Sequence, residues 1–320
     1  MMSEALMIPN LTHPEVPIGD EPKVLAQKGT IPSEEPKDHL EIGRLHDLFD
    51  FEGGSKITGS KFVFLKNEAV FLELGLVYWA LDRIRKKGYQ LKTTPDLART
   101  DIAAGCGFQP RDPSGQMYSV EEDLCLVGTS EITLAGLHSE EVLDPSTLPL
   151  KYGGFSHCFR KEAGKGTSAK GLYRLHQFSK VEMFAFCNQS TSEELHHEML
   201  GIQTELMEEL ELPYRVLDMP TTDLGNSAFR KFDIEVYLPS KKDYGEVTST
   251  SNCLNYQSVR LNAYYQEGSV KKHLHTVNGT ALAVPRIMMA LLELGQKSDG
   301  SVEFPKVLHS FLPFTQLSPK

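Results

Sequence analysis

Residues 172–182 read Leu-Tyr-Arg-Leu-His-Gln-Phe-Ser-Lys-Val-Glu, and they follow Phe159-Arg160-Lys161-Glu162 across a glycine-rich loop. Alternating apolar residues predict a strand over 172–186 and another over 152–160. Side chains alternate faces along a strand. Arg174, His176, Phe178 and Glu182 therefore share one face, and Arg160 and Glu162 share a face of the preceding strand. An arginine, an aromatic ring and carboxylates on one side make a poor hydrophobic core and a good nucleotide platform. Arginine clamps phosphate, and phenylalanine stacks on a base for about 1–3 kcal/mol. A solvated hairpin with surface ion pairs is the other reading, and this segment alone does not choose between them.

Working outward, Asn67 to Lys87 carries Val70, Phe71, Leu74, Val77, Tyr78, Leu81 and Ile84 at helical spacing. The cluster Arg83, Arg85, Lys86 and Lys87 sits where the helix dipole favours cations, and Gly88 ends the helix. Tyr89 to Thr94 reads as a strand stopped by Pro95. Thr191 with Glu194 predicts a capping box ahead of a helix buried through Leu195, Met199, Ile202, Leu206 and Leu210. Further alternating runs at 229–238, 244–250 and 271–278 favour an antiparallel sheet. An apolar helix follows from about Val284 to Leu294, with Pro285 in its first turn and Met288 and Met289 in the core. Residues 8–38 are rich in proline and acidic residues and predict an extended lead-in on the surface or on a partner subunit. The expected division is this lead-in, 1–38, and a catalytic domain, 39–320.

Three more segments carry chemistry. Glu246-Val247-Thr248-Ser249 places a carboxylate close to hydroxyls, a pattern that holds Mg²⁺ at substrate phosphates or simply ends a Ser/Thr-rich strand. Thr276 to Arg286 runs from small residues into an apolar helix with an arginine in its first turn. A cation there opposes the helix dipole, so Arg286 predicts an anionic partner. Gly128-Thr129-Ser130-Glu131 offers a carboxylate that could take an ammonium group. His196-His197 reads as a solvated pair on a polar helix face. His157 and Cys158 point to opposite faces, which disfavours a Cys–His nucleophile.

The composition is ordinary for a soluble protein. No apolar run approaches the ~20 residues of a membrane span, so no membrane partner is expected. The net charge of -10 argues against non-specific nucleic-acid coating. Five widely spaced cysteines without a C-x-x-C pair suit a reducing compartment and offer no zinc site. The opening MMSEALMIPN has neither a basic n-region nor an Arg-rich stretch, hence no secretory signal or presequence.

Taken together, these segments resemble class II aminoacyl-tRNA synthetases. The first helix, its strand and Pro95 look like motif 1; Arg160 to Glu182 looks like motif 2; Gly279 to Arg286 and its helix look like motif 3. The wording "RLHQFSKVE" and "EVTSTSNC" is similar to that of seryl-tRNA synthetases, and "LDMPT", "FRKFDIEVY" and "HTVNGTALAVPR" to their mitochondrial type. The resemblance implies an α+β class II core, a mostly antiparallel sheet flanked by helices, dimeric through the motif 1 helix. It implies serine and ATP as substrates, Mg²⁺ and no zinc, tRNA(Ser) as partner and the mitochondrial matrix as compartment.

By that resemblance Arg160 and Arg286 are catalytic. Arg160 meets the α-phosphate and the serine carboxylate, and Arg286 the γ-phosphate. Thr129, Glu131, Glu182, Asn278 and Thr280 form the serine pocket, Glu131 beside the ammonium. Glu162 contacts the adenine side, Leu175 lines it and Phe178 stacks on the ring, with Lys161, Val247 and Thr248 also on ATP. Glu246 and Ser249 carry Mg²⁺. The family's N-terminal coiled-coil arm, which grips the tRNA, is expected to be missing, and Lys170 stands in the motif 2 loop where arginine is usual. Activation is therefore expected to survive and transfer to tRNA to be weakened. A carrier-protein ligase and a non-catalytic regulatory paralogue are the alternatives.

Overall fold

The computed structural model describes residues 7–32, 36–108, 116–121, 123–161 and 171–319. Its spine is an eight-stranded sheet built from Lys23–Lys28 (β1), Gln90–Thr93 (β2), Leu150–Phe159 (β3), Gln177–Cys187 (β4), Tyr214–Asp218 (β5), Arg230–Leu238 (β6), Asp243–Leu254 (β7) and His275–Ala283 (β8). They lie in the order β1-β5-β6-β7-β8-β4-β3-β2. All neighbours are antiparallel except β2 and β3, which run parallel. This is the mostly antiparallel α+β architecture predicted from the sequence.

Two strands differ from expectation. The strand predicted over 172–186 starts only at Gln177, after a 3₁₀ turn at Gly171–Tyr173. Gly171 has φ +60°, a left-handed conformation that turns the chain before it enters the sheet. The run predicted over 271–278 divides at Leu274. Val270–His273 joins a small sheet with Tyr264–Glu267 and Val142–Leu143, and β8 begins at His275. The lead-in supplies β1, whose side chains are all exposed, at the edge of the large sheet.

Three helices cover one face of the sheet: Glu68–Lys86 (α1), Ser192–Glu209 (α2) and Val284–Leu294 (α3). The predicted stripe of α2 is buried, and so are Met288 and Met289 of α3. The capping box is not formed. The Thr191 hydroxyl donates to Asn188 Oδ1 at 3.1 Å instead and makes no cap hydrogen bond. His196 is not solvated: it is 1% exposed, stacks on Phe232 and sits 3.0 Å from the Thr250 carbonyl. Burial lowers its pKa to about 4, so the ring is neutral.

Helix α1 is apolar on two sides. Ala69, Leu72, Leu76, Trp79, Ala80 and Ile84 pack into the core. Of the stripe predicted from the sequence, Val77 and Ile84 are buried, whereas Phe71, Leu74 and Tyr78 are 52%, 59% and 67% exposed. Its C-terminal cations pair with acids: Arg83 with Glu209, Arg85 and Lys86 with Asp82, Lys87 with Glu205. The opposite face of the sheet carries a second core around Ile132, Phe184, Phe186 and Tyr265, and beside it a cleft.

Candidate active site

The floor of the cleft comes from β4 and β8 by alternation and from β7 by the consecutive run 246–249, beside a break in its register with β6. Phe178, Lys180 and Glu182 face the cleft from β4, while Val181 and Met183 pack toward the helices. Asn278 and Thr280 do the same from β8, with Val277 and Ala281 behind them. Thr129 and Glu131 arrive at the start of a short helix, Glu131–Gly136. Arg160 follows the last residue of β3, and Arg286 lies in the first turn of α3. The cleft has a cavity volume of about 150 Å³.

Of the residues singled out from the sequence, Thr129, Glu131, Arg160, Leu175, Phe178, Glu182, Glu246, Val247, Thr248, Ser249, Asn278, Thr280 and Arg286 line this one cleft. Lys161 does not line it. Its ammonium lies over the Tyr118 ring, 5.6 Å from the centroid, because successive residues of an extended chain point to opposite sides. Glu162 and Lys170 lie outside the described residues. Arg174 reaches the cleft. His176 turns away, stacked on Phe62 and hydrogen-bonded to Tyr118, since it precedes the strand on which a shared face was predicted.

The inner end is acidic and tightly tied. Thr280 Oγ1 donates to Glu182 Oε2 at 3.2 Å. Lys180 forms a buried ion pair with Glu182 and donates to Thr129 Oγ1 at 2.7 Å and Thr280 Oγ1 at 3.3 Å. Glu131 Oε1 accepts from Gln257 at 2.7 Å and from Asn278 at 3.1 Å. Burial, and then the charge of Glu182, push the Glu131 carboxyl up to about 7. Lys180 and Gln257 were missed from the sequence. Lys180 stands two residues before Glu182 on one strand, a spacing that put both on the same face. Gln257 had no such signal, because its short helix lies far along the chain.

Cations hold the outer end. Arg286 Nη1 donates to the Glu246 carbonyl at 2.7 Å and lies 3.4 Å from the Glu246 carboxylate. That carboxylate is the anionic partner its position at a helix start demanded. The Arg286 guanidinium also stacks over Tyr173, 4.6 Å from the ring centroid. Burial would raise the Glu246 carboxyl, but the charges of Arg286, Lys231 and Arg160 outweigh it and hold it below the usual range. Arg160 is oriented by the Gly128 carbonyl at 3.1 Å and faces the Phe178 ring at 5.4 Å.

Among the described residues no group of three or more His, Cys, Asp or Glu stands together as metal ligands. Glu246 and Ser249 nevertheless offer hard oxygens on the cleft. Asp233, in register with Ser249 across β6 and β7, has a buried Oδ1 without a partner. Such an oxygen set fits a hard divalent cation.

A cleft with arginines at one end and carboxylates at the other, on this sheet, defines the class II aminoacyl-tRNA synthetase core. Residues 117–294 match the family described as tRNA synthetase class II core domain (G, H, P, S and T). A serine–tRNA ligase of Rubrobacter xylanophilus is 51% identical across the whole chain, which spans 77% of that protein. The seryl-tRNA synthetase of Pyrococcus horikoshii, solved with ATP, superposes with a TM-score of 0.95 at 36% identity, over 100% of this chain and 78% of its own. The cytoplasmic serine–tRNA ligase of Naegleria fowleri, solved with AMP, gives 0.93 at 31% identity over the same shares. This chain belongs to the serine–tRNA ligase family.

Proposed function

We propose that the chain activates serine with ATP in this cleft and delivers it to tRNA(Ser), with residues 39–320 as the catalytic unit. The observation that carries the reading is the polarity of one cavity: the carboxylates and hydroxyls of Glu131, Glu182, Thr129 and Thr280 at its inner end, and the guanidiniums of Arg160, Arg174 and Arg286 toward its outer end. The serine ammonium meets Glu131. Its hydroxyl lies among Glu182, Lys180 and Thr280, with Thr129 and Asn278 closing the pocket. Phe178 stacks on adenine, Leu175 lines that side, and Arg286 holds the γ-phosphate. Arg160 aligns the serine carboxylate with the α-phosphate.

The carboxylate oxygen attacks the α-phosphorus. The bond to the bridging oxygen breaks, and pyrophosphate leaves with its electron pair, giving seryl-adenylate. A hydroxyl at the tRNA 3′ end then attacks the seryl carbonyl, the bond to the phosphate oxygen breaks, and AMP departs with the electron pair while the hydroxyl proton passes to its phosphate or to water. Positioning and charge stabilisation supply the rate. Glu246 and Ser249 would hold Mg²⁺, which neutralises phosphate charge when bound. The relatives support this reading over a carrier-protein ligase or a regulatory paralogue, since the similar proteins are serine–tRNA ligases.

Two further parts of the reading concern setting. The exposed apolar side of α1 supports a homodimer. The mitochondrial matrix is the compartment we propose, supported by the "LDMPT" and "HTVNGTALAVPR" wording and by greater identity to a bacterial relative, 51%, than to the Naegleria cytoplasmic enzyme, 31%. Cell fractionation of the tagged protein checks the compartment, and recovery in the cytosol alone would refute it.

The central test is pyrophosphate exchange into ATP. Exchange should require serine. Alanine should support it ~10⁴-fold less well, because a pocket built to bond a hydroxyl leaves its groups unpaired without one. Equal exchange with alanine would overturn the assignment of the inner end.

A further inference from the structure

On the helix side of the sheet, directly behind the cleft, Gln203 of α2 is fully buried. Its Nε2 lies 2.8 Å from each of three acceptors: Thr248 Oγ1, the Ser249 carbonyl and the Thr280 carbonyl. Thr248 Oγ1 in turn donates to the Thr280 carbonyl. These contacts stand where the register of β7 with β8 ends. Strands β7 and β8 pair as far as Thr250 with Gly279, and the register stops there. Just beyond that point the Ser249 and Thr280 carbonyls are joined through the Gln203 amide.

Both residues also line the cleft. Ser249 belongs to its phosphate end and Thr280 to its amino-acid end, so one amide sets the spacing between two subsites. Two observations show that the arrangement is not generic packing. Gln203 Oε1 is buried with no partner, a cost that an apolar residue of similar size would avoid. A Cβ on Gly279 would come within 2.9 Å of Thr250 Oγ1 and 3.1 Å of Gln203 Nε2, so the glycine leaves room for the amide.

We propose that Gln203 is a positioning residue for serine activation. It touches neither substrate and fixes the distance between the serine and phosphate subsites from behind the sheet. This inference rests on the reading of the cleft as a serine and ATP site.

The experiment compares wild type, Gln203→Met, Gln203→Glu and Thr280→Val in pyrophosphate exchange, each also followed by thermal unfolding. Gln203→Met keeps the length and removes both donors. It should stay folded, with kcat down at least tenfold and KM for serine and for ATP raised together, because displacement by a fraction of an ångström spoils both subsites. Thr280→Val should raise KM for serine alone. Gln203→Glu, protonated, keeps one donor; its kcat should lie between the other two and fall as pH rises and the carboxyl ionises against two carbonyls. Folded Gln203 variants with wild-type kcat and KM would overturn the inference. So would loss of folding in both, which would make the amide a support of the sheet and not of the site. Wild-type exchange, measured first, tests the underlying reading separately, and its absence would overturn both.

Discussion

Burial and the Glu182 carboxylate together hold the Glu131 carboxyl near 7, and a serine ammonium would draw it back down. Binding should therefore release a proton below pH 7. KM for serine should rise roughly tenfold per pH unit on the acid side of 7 and level off above it. Glu131→Gln should flatten that slope, and a profile unchanged by the substitution would show that Glu131 does not meet the ammonium. The sign for stability is fixed too. A carboxyl raised in the folded state costs stability as pH climbs from about 4.5 to 7, so Glu131→Gln should raise Tm at pH 8 relative to pH 5. Arg160→Ala and Arg286→Ala should each reduce kcat for exchange by ~10²–10³, the size of a lost transition-state donor. Phe178→Ala should chiefly raise KM for ATP, because stacking is similar in ground and transition states. The legible residues were those whose strand alternation or helix position put them in conflict with a hydrophobic core. Arg286 announced an anionic partner merely by sitting at a helix start. Gln257 and Gln203 were illegible, because a buried amide acts through backbone geometry that no local pattern encodes.

Among the elements, α1 shows why periodicity alone misplaces a face. Its apolar residues occupy two sides of the helix, and a single stripe drawn through Val70, Phe71, Leu74, Val77 and Tyr78 selects mostly the outer one. The inner side is carried by small and large residues together, Ala69 and Ala80 beside Leu72 and Trp79, and alanine adds little to an apolar count. The two sides should fail differently. Leu72→Ala should lower stability by about 2–5 kcal/mol, as for other buried leucines. Phe71→Glu with Leu74→Glu should leave Tm of the subunit nearly unchanged and shift the mass in analytical ultracentrifugation from dimer to monomer. A dimer that survives the double substitution would place the subunit contact elsewhere. The strand entering at Gln177 teaches a related point. The alternation over 172–176 was real as sequence, but Gly171 spends those residues on a turn, which carries Arg174 into the cleft and His176 out of it.

For the whole molecule, the cleft is lined by residues from 108 to 286, while the chain spans 77% of its Rubrobacter relative. The 320 residues should thus activate serine by themselves. Their acidic total offers a polyanion little long-range attraction, and the cations at the end of α1 are already engaged by Asp82, Glu205 and Glu209. Serine transfer to tRNA should therefore be slow beside exchange, and transfer as fast as exchange would mean that these residues grip tRNA on their own. The lead-in has a different bearing on the molecule. Among the described residues strand β1 forms one margin of the sheet, with Val24 and Leu25 half uncovered. Such a margin can recruit further strands from neighbouring copies, and lysine is the usual guard against it. Lys23 and Lys28 stand at its two ends. If charge guards this margin, Lys23→Val with Lys28→Val, which also breaks the Lys28–Glu208 ion pair, should hasten fibrillar aggregation, seen as thioflavin fluorescence, with the catalytic cleft untouched.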